Sequence, residues 1–198
     1  MTLDASNTFS RAGLPTTPWK NGGGSTRQIA SWPPGAGMAD FGWRVSIATI
    51  EAAGPFSVFE GVDRIIMLLD GDGVRLRSRD GRIDLALDVP HRPFAFAGED
   101  EIDCAPQGAA SSDFNVMTRR GQWVADLQVL DGPASIAPSA HGVLLALRGD
   151  WRLNEAQAAC REGEGLWWAD APQAWQVKPS GAGARLAVAR ILPAAAQP

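Results

Sequence analysis

The chain has 198 residues, of which 45% are hydrophobic, enough for one large domain or for two small repeats that share a core. Its formal net charge of -4 argues against a nucleic-acid partner, which would require a basic face. The longest apolar run is about six residues, far too short to span a membrane, and the first residues lack the pattern of a signal peptide. We therefore expect a cytoplasmic protein with no nucleic-acid partner and no membrane association.

Short apolar or alternating runs, separated by glycine and proline turns, predict an all-β protein. In chain order, strands are expected at 25–31, 41–51, 62–69, 73–79, 82–88, 93–97, 101–105, 113–119, 122–130, 142–148, 165–169, 174–178 and 184–192. The dipeptide Asp80-Gly81 between two alternating segments predicts a tight hairpin. Only residues 154–161 have helical character, with Asn154 as a possible N-cap and Gln157 three residues later.

The two halves of the chain resemble each other. The segment 64–76 is echoed by 141–153, and each is followed by an aromatic strand and a closing strand, at an offset near 72 residues between 114–117 and 186–189. Repetition of one β unit predicts a cupin-like (RmlC-like) jelly roll, a bicupin with two β-barrel-like halves. We expect a single bicupin unit over 1–198, with about 1–130 as the first half and 131–198 as a smaller second half completed by N-terminal strands. Unrelated glycine-rich β segments also look alike, so chance similarity is the alternative.

The segment 54–73 lies where a cupin barrel carries its metal-binding strands, yet it contains no histidine. Borderline metals in such barrels prefer two or three imidazoles with a carboxylate. The two histidines, His91 and His141, are fifty positions apart, and each is expected at the surface. Cys104 and Cys160 are isolated and are expected to be buried as small apolar residues. We predict no metal and no cofactor, which favours a small-molecule-binding protein over a metalloenzyme.

Alternation along two strands places polar side chains together on one face of each. In 43–48 this face carries Arg44 and Ser46, and in 113–119 it carries Asp113 and Asn115. If both faces line the barrel interior, Arg44 would bind a carboxylate and Asn115 an amide. Alternatively, Arg44 pairs with a structural carboxylate such as Asp113 and closes the barrel.

A second arginine, Arg64, stands at the entry to a nearly all-apolar strand. Burying its charge alone would cost several kcal/mol. A ligand carboxylate would satisfy it through a bidentate contact, and Asp63 or Glu60 would satisfy it equally well.

The glycine-rich segment 20–26 lacks the spacing of a phosphate loop, and no helix follows it. Glycines allow tight turns and close backbone approach. We expect a structured turn over one barrel mouth, with Lys20 or Asn21 reaching the pocket.

Three segments, PWKNGGGST at 18–26, GPFSVFEGVDR at 54–64 and DFNVMTRR at 113–120, together resemble the HutD/Ves family. The likeness runs over essentially the whole chain, and the segments occur in the family's order. It implies a cupin-type β fold without a metal centre, in bacteria that degrade histidine. It further implies a role in limiting or tuning histidine utilisation, with formylglutamate, a late pathway intermediate, as the ligand proposed for such proteins.

We therefore predict a metal-free regulatory protein that binds formylglutamate or a related dicarboxylate. Its candidate ligand-binding residues are Lys20, Asn21, Arg44, Ser46, Arg64, Asp113 and Asn115, and none is assigned a catalytic role. One alternative is a metal-independent isomerase or hydrolase acting on a small carboxylic acid, with Asp113 or Glu60 as base. Another is a protein–protein regulator with a vestigial pocket. A homodimer is a further expectation, because cupins often pair through their sheets.

Overall fold

A computed structural model describes residues 7–154 and 157–195 of the chain. Its strands are β1 (Thr8–Ser10), β2 (Thr16–Pro18), β3 (Gly24–Trp32), β4 (Trp43–Ile50), β5 (Gly54–Pro55), β6 (Val62–Asp70), β7 (Val74–Ser78), β8 (Asp84–Leu87), β9 (Phe94–Ala97), β10 (Ile102–Pro106), β11 (Ser111–Arg119), β12 (Trp123–Leu130), β13 (Ala134–Ser139), β14 (His141–Arg148), β15 (Trp151–Leu153), β16 (Gln157–Cys160), β17 (Glu164–Trp168), β18 (Gln173–Pro179) and β19 (Arg185–Pro193). Within the described residues the one helical element is a single 3-10 turn, Arg11–Gly13, and no helix is long and apolar enough to cross a membrane.

The strands divide between two compact units. The central unit is Pro15–Gln122, and the terminal unit combines the described residues before it, 7–14, with those from Trp123 onward. Strand β12, which the sequence analysis counts with the first half, pairs along its whole length with β19 in the terminal unit.

Each unit contains two antiparallel sheets. The central unit has a six-stranded sheet, β2-β3-β4-β11-β6-β9, and a four-stranded sheet, β5-β10-β7-β8. The terminal unit has a five-stranded sheet, β1-β17-β14-β19-β12, and a four-stranded sheet, β13-β18-β15-β16. The order β4-β11-β6-β9 therefore matches β12-β19-β14-β17, and β5-β10-β7-β8 matches β13-β18-β15-β16. This strand-by-strand correspondence confirms the duplicated β unit.

Apolar side chains fill the interior of each unit. In the central unit, buried residues from both sheets form one cluster: Ile50, Ile66, Leu68, Val74, Leu76, Leu87, Phe96, Ile102 and Cys104. In the terminal unit the corresponding cluster includes Trp151, Trp168 and Trp175, and the last two rings are 5.6 Å apart. Because an indole is the largest side chain available, three of them occupy much of that interior.

All thirteen predicted strands are present, with ends shifted by one or two residues, and the all-β prediction is confirmed. The predicted helix at 154–161 is wrong where the structure describes it, since Gln157–Cys160 forms β16 and pairs with β15. Residues 155 and 156 lie outside the described residues. Asn154 has a left-handed backbone, with φ of 58°, and its side chain accepts a hydrogen bond from the Gln176 amide instead of capping a helix.

The prediction that both histidines lie at the surface is wrong for His141. His91 is half-buried, but His141 is buried, with its ring edge-on to Trp123 at 4.6 Å between centroids. Burial lowers the pKa of His141, so the neutral ring is favoured there. Both cysteines are buried and unpaired, as the sequence predicts.

Candidate functional site

The central unit contains a pocket of about 620 Å³. Its floor is the face of the six-stranded sheet formed by β3, β4, β11 and β6, and its rim comes from the segments 17–21 and 55–59. All seven candidate residues line it: Lys20, Asn21, Arg44, Ser46, Arg64, Asp113 and Asn115. Alternation along β4 and β11 brings four of them, Arg44, Ser46, Asp113 and Asn115, to one side, while Trp43, Val45 and Ile47 lie buried on the opposite face.

Strand β11 is the axis of the pocket floor. Three of its residues each pair with one residue on β4 and one on β6: Met117 with Arg44 and Arg64, Asn115 with Ser46 and Ile66, and Asp113 with Ala48 and Leu68. The two arginines therefore share one row, with Cα atoms two strand spacings, about 10 Å, apart. The rows with Asn115 and Asp113 follow along β11, about 7 Å per step of two residues.

Arg44 is held by neutral groups. Its Nε donates to Gln28 Oε1 at 2.9 Å, and one terminal nitrogen lies 3.4 Å from Ser46 Oγ and 4.0 Å from Met117 Sδ. Burial lowers its pKa, and no carboxylate among the described residues forms an ion pair with it. The pairing with Asp113 that the sequence left open is not formed. The guanidinium is thus oriented by its neighbours but keeps its charge uncompensated.

Arg64 is enclosed by aromatic rings. Its guanidinium carbon lies 4.8 Å from the centre of Phe96, 5.2 Å from Phe56 and 5.7 Å from Phe59. Arg64 is buried, and only 6% of the residue is exposed to solvent. Such rings stabilise a cation through their negative faces without occupying its N–H groups.

The hydrogen-bonding capacity of Arg64 is consequently left open. One terminal nitrogen donates weakly to the Ser57 carbonyl at 3.5 Å, and Nε makes no hydrogen bond. Asp63, a partner considered from the sequence, bonds to Arg120 instead, at 2.7 Å. Burial first, and the nearby charge of Arg44 second, lower the pKa of Arg64 to about 10. At neutral pH the group remains a cation.

Acceptors dominate the rows of Asn115 and Asp113. Both carboxyl oxygens of Asp113 and the Oδ1 atom of Asn115 are buried and have no hydrogen-bond partner among the described residues. Burial, and then the charge of Asp70, raise the pKa of Asp113 to about 7. The pocket therefore has positively charged donors in the row of Arg44 and Arg64, and unpaired acceptors in the rows that follow along β11.

The rim carries Lys20 and Asn21 on a tight turn. Asn21 Oδ1 accepts from the Gly23 amide at 3.1 Å, and Gly22 has φ of 69°, which glycine adopts without strain. Gly24 lies so close to the Thr49 carbonyl that a Cβ would collide with it. The structured turn predicted from the sequence is present, and both side chains reach the pocket wall.

Sequence reasoning missed Gln28 and the aromatic rings around Arg64. Gln28 shares the pocket face of β3 with Thr26, a pattern that alternation could have revealed once β3 was placed beside β4. Phe56 and Phe59 lie in the glycine-bounded segment 54–61, but only the folded loop brings them to Arg64.

The donor set of this pocket does not fit a metal ion. The floor offers two guanidinium cations, which repel a metal, and one carboxyl group, with no imidazole. Elsewhere among the described residues, no group of three or more His, Cys, Asp or Glu side chains converges as metal binding requires.

The terminal unit has a smaller pocket of about 410 Å³, lined by residues of β1 and β15–β17. Its lining includes Cys160 and Glu164 but no arginine or lysine among the described residues. The Cys160 thiol donates to the Glu164 carbonyl at 3.2 Å, and burial raises its pKa to about 11. This cavity therefore does not repeat the cationic chemistry of the central unit.

The fold and the arginine-lined pocket define a cupin-like β protein of two repeated units. The fold is similar to that of oxalate decarboxylase from Bacillus subtilis, with a TM-score of 0.59 at 9% identity over 97% of this chain and 78% of that one. At that identity the likeness shows the fold alone, and it confirms the cupin-like architecture.

The chain belongs to the HutD family, whose model matches residues 11–187. It is 46% identical over 131 residues to an uncharacterised 21.2 kDa protein in the hutC 3' region of Pseudomonas putida, covering 66% of this chain and 67% of that protein. It is also 38% identical to protein Ves of Cronobacter sakazakii, over 78% of this chain and 82% of that protein. The structure of HutD from Pseudomonas fluorescens SBW25 superposes with a TM-score of 0.82 at 27% identity, covering 95% and 98% of the two chains. The HutD/Ves family is associated with histidine utilisation.

Proposed function

We propose that the central-unit pocket binds a small carboxylate, formylglutamate or a related dicarboxylate, and that this binding regulates histidine utilisation. The observation that carries the proposal is the pair Arg44 and Arg64, two buried guanidinium groups in one pocket without a carboxylate partner among the described residues.

An unpaired buried cation is unfavourable for folding, so its retention calls for a reason. Desolvation lowers the pKa of both guanidinium groups, which measures the cost of holding the charge there. An incoming carboxylate would compensate the charge and accept the open Nε–H of Arg64. Because burial already desolvates both guanidinium groups, such a charge-assisted hydrogen bond is stronger than one in water.

The spacing of the floor suits an N-acyl dicarboxylate. Arg44 and Arg64 lie in one row, on either side of Met117, and would each hold one carboxylate or share a single one. The next row presents Asn115 Oδ1, an unsatisfied acceptor for the amide N–H of such a ligand. Lys20 at the rim adds a third positive charge where an anion would enter.

A regulatory role without turnover rests on the family association and on this binding chemistry. The pocket is open, at about 620 Å³, and its floor carries two arginines, an aspartate and an asparagine, which weighs against a vestigial pocket. A cytoplasmic location and a homodimer remain predictions of the sequence.

A metal-independent isomerase or hydrolase is the second candidate, and Asp113 is the observation that favours it. A buried carboxyl with a pKa of about 7 is suited to exchange a proton near neutral pH. The two candidates differ in the fate of the ligand, which stays intact on a binding protein and is altered by an enzyme.

Isothermal titration of the purified protein with N-formyl-L-glutamate, followed by recovery of the ligand, tests both. Saturable binding with intact ligand is expected, weakened at least about 30-fold in Arg44→Met, because a charged partner in a desolvated site is lost. Arg92→Met is the matched control, since Arg92 is exposed and lies outside the pocket. Altered ligand would favour the enzyme, and equal binding by both variants would refute the assigned pocket.

A further inference from the structure

The end of the pocket at Asp113 and Asn115 carries chemistry that a dicarboxylate leaves unused. Asp113 and Asn115 lie two residues apart on β11, and their side chains face the pocket. Asp113 is 2% exposed and Asn115 is 8% exposed. Together they present three oxygen atoms that find no hydrogen-bond partner within residues 7–154 and 157–195: both carboxyl oxygens of Asp113 and the amide oxygen of Asn115.

Buried acceptors of this kind require donors. In native structures most buried polar atoms are hydrogen-bonded, and leaving one unpaired costs stability. Three unsatisfied acceptors on one pocket wall are therefore a template for a ligand with several N–H or O–H groups. A formamide offers one N–H, which satisfies the amide oxygen of Asn115 and leaves at least one oxygen of Asp113 without a donor.

The electrostatics of this end also differ from those of the arginine row. Asp113 lies four residues along β11 from Met117, the position that Arg44 and Arg64 flank, a separation of about 13 Å. The charge of Asp70 acts on Asp113 as well, and the raised pKa of Asp113 reflects both burial and that charge. A cationic group bound here would offset both effects and favour the ionised carboxylate.

We infer that the Asp113–Asn115 end of the pocket is a subsite for a planar N–H donor group, and that the ligand is a carboxylic acid carrying an amidinium- or guanidinium-type group. This rests on the proposed function, because the arginine row must hold the acid end. A planar fork with two parallel N–H groups matches the two oxygens of one carboxylate, and a third N–H reaches Asn115. A compact ammonium lacks this geometry and remains strongly hydrated.

Three probes on one skeleton test the inference, since they differ only in the group attached to nitrogen: N-formyl-, N-carbamoyl- and N-amidino-L-glutamate. Calorimetric titration of the wild-type protein is expected to give at least about tenfold tighter binding for the amidino compound than for the carbamoyl compound, which has nearly the same shape but no charge. In Asp113→Asn, which keeps the size of the side chain, that preference is expected to disappear while the carbamoyl compound still binds.

Equal affinities for the three probes in the wild-type protein would overturn the inference and leave the carboxylate site standing. So would an amidino preference that persists in Asp113→Asn. Binding of none of the three would remove the carboxylate site and the inference together. The wild-type comparison needs no variant, so it decides the matter even if Asp113→Asn does not fold.

Discussion

Replacing Arg64 with methionine separates the stability of the central unit from its proposed binding role. Methionine has a similar length and no charge, so it can fill the space among Phe56, Phe59 and Phe96. Folding lowers the pKa of Arg64 from the usual value of an arginine to about 10, mainly through burial. At 1.36 kcal/mol per unit, the charged group costs the native state about 3 kcal/mol.

The sign of this contribution follows from the direction of the shift. A folded pKa below the unfolded value means that the cation is less favourable in the native state. The penalty is present in full below about pH 10 and is relieved only as the pH rises above that value toward the pKa of the unfolded chain. Three cation–π contacts, each worth about 0.5–1 kcal/mol at exposed sites and about 2 kcal/mol when desolvated, offset much or all of this penalty. Because methionine loses both the penalty and the contacts, the free energy of unfolding of Arg64→Met is expected to lie within about 1 kcal/mol of the wild-type value.

Urea unfolding at pH 7, followed by tryptophan fluorescence, measures the change. Arg120→Met is the paired control: Arg120 bonds to Asp63 and Glu99 at the surface, and its loss should destabilise slightly. A loss of more than about 1 kcal/mol in Arg64→Met would mean that Arg64 is a structural residue, and the reasoning from its missing partner would fail.

Three further changes probe the site and its frame. Because the pKa of Asp113 rises from 3.8 to about 7 on folding, its contribution to stability is complete below pH 4 and is lost as the pH rises through 7. Asp113→Asn should therefore flatten this part of the curve of stability against pH. An unchanged slope in urea melts from pH 4 to 8 would contradict the assigned burial. Gln28→Ala removes the acceptor of Arg44 Nε and should weaken carboxylate binding, measured by calorimetry, about tenfold with little loss of stability. An unaltered affinity would show that Gln28 does not position the guanidinium group. Gly24→Ala should lower the melting temperature markedly, because the added methyl group meets the Thr49 carbonyl. Gly132→Ala is the control and should not lower it, since the space around Gly132 is open. Equal melting temperatures for the two variants would refute the close approach of β3 and β4.

The sequence predicts the polar floor of the pocket well because alternation is a local property. Arg44 and Ser46 on β4, and Asp113 and Asn115 on β11, fall on one face as soon as each strand is recognised. Their shared pocket also needs the strands to be neighbours, which the sequence supports only through the repeat. The position of β11 between β4 and β6 depends on tertiary contacts.

What could not be predicted depends on contacts between distant segments. The rings around Arg64 come from a loop and from β9, so no local pattern joins them. The wrong helix at 154–161 shows the same limit, since the capping signal of Asn154 is local but pairing of β16 with β15 prevails. Very short strands such as β5 exist only because β10 lies beside them. The sequence also does not show which ion pair a charged side chain forms. Asp63 pairs with Arg120, although Arg64 is its neighbour in sequence.

A crystal structure of the protein grown with N-formyl-L-glutamate would show whether Arg44 and Arg64 bind a carboxylate ligand. We expect the ligand in the central-unit pocket, with carboxylate oxygens within hydrogen-bonding distance, about 3 Å, of both guanidinium groups. A pocket without ligand under saturating conditions, or a ligand bound away from both arginines, would contradict it.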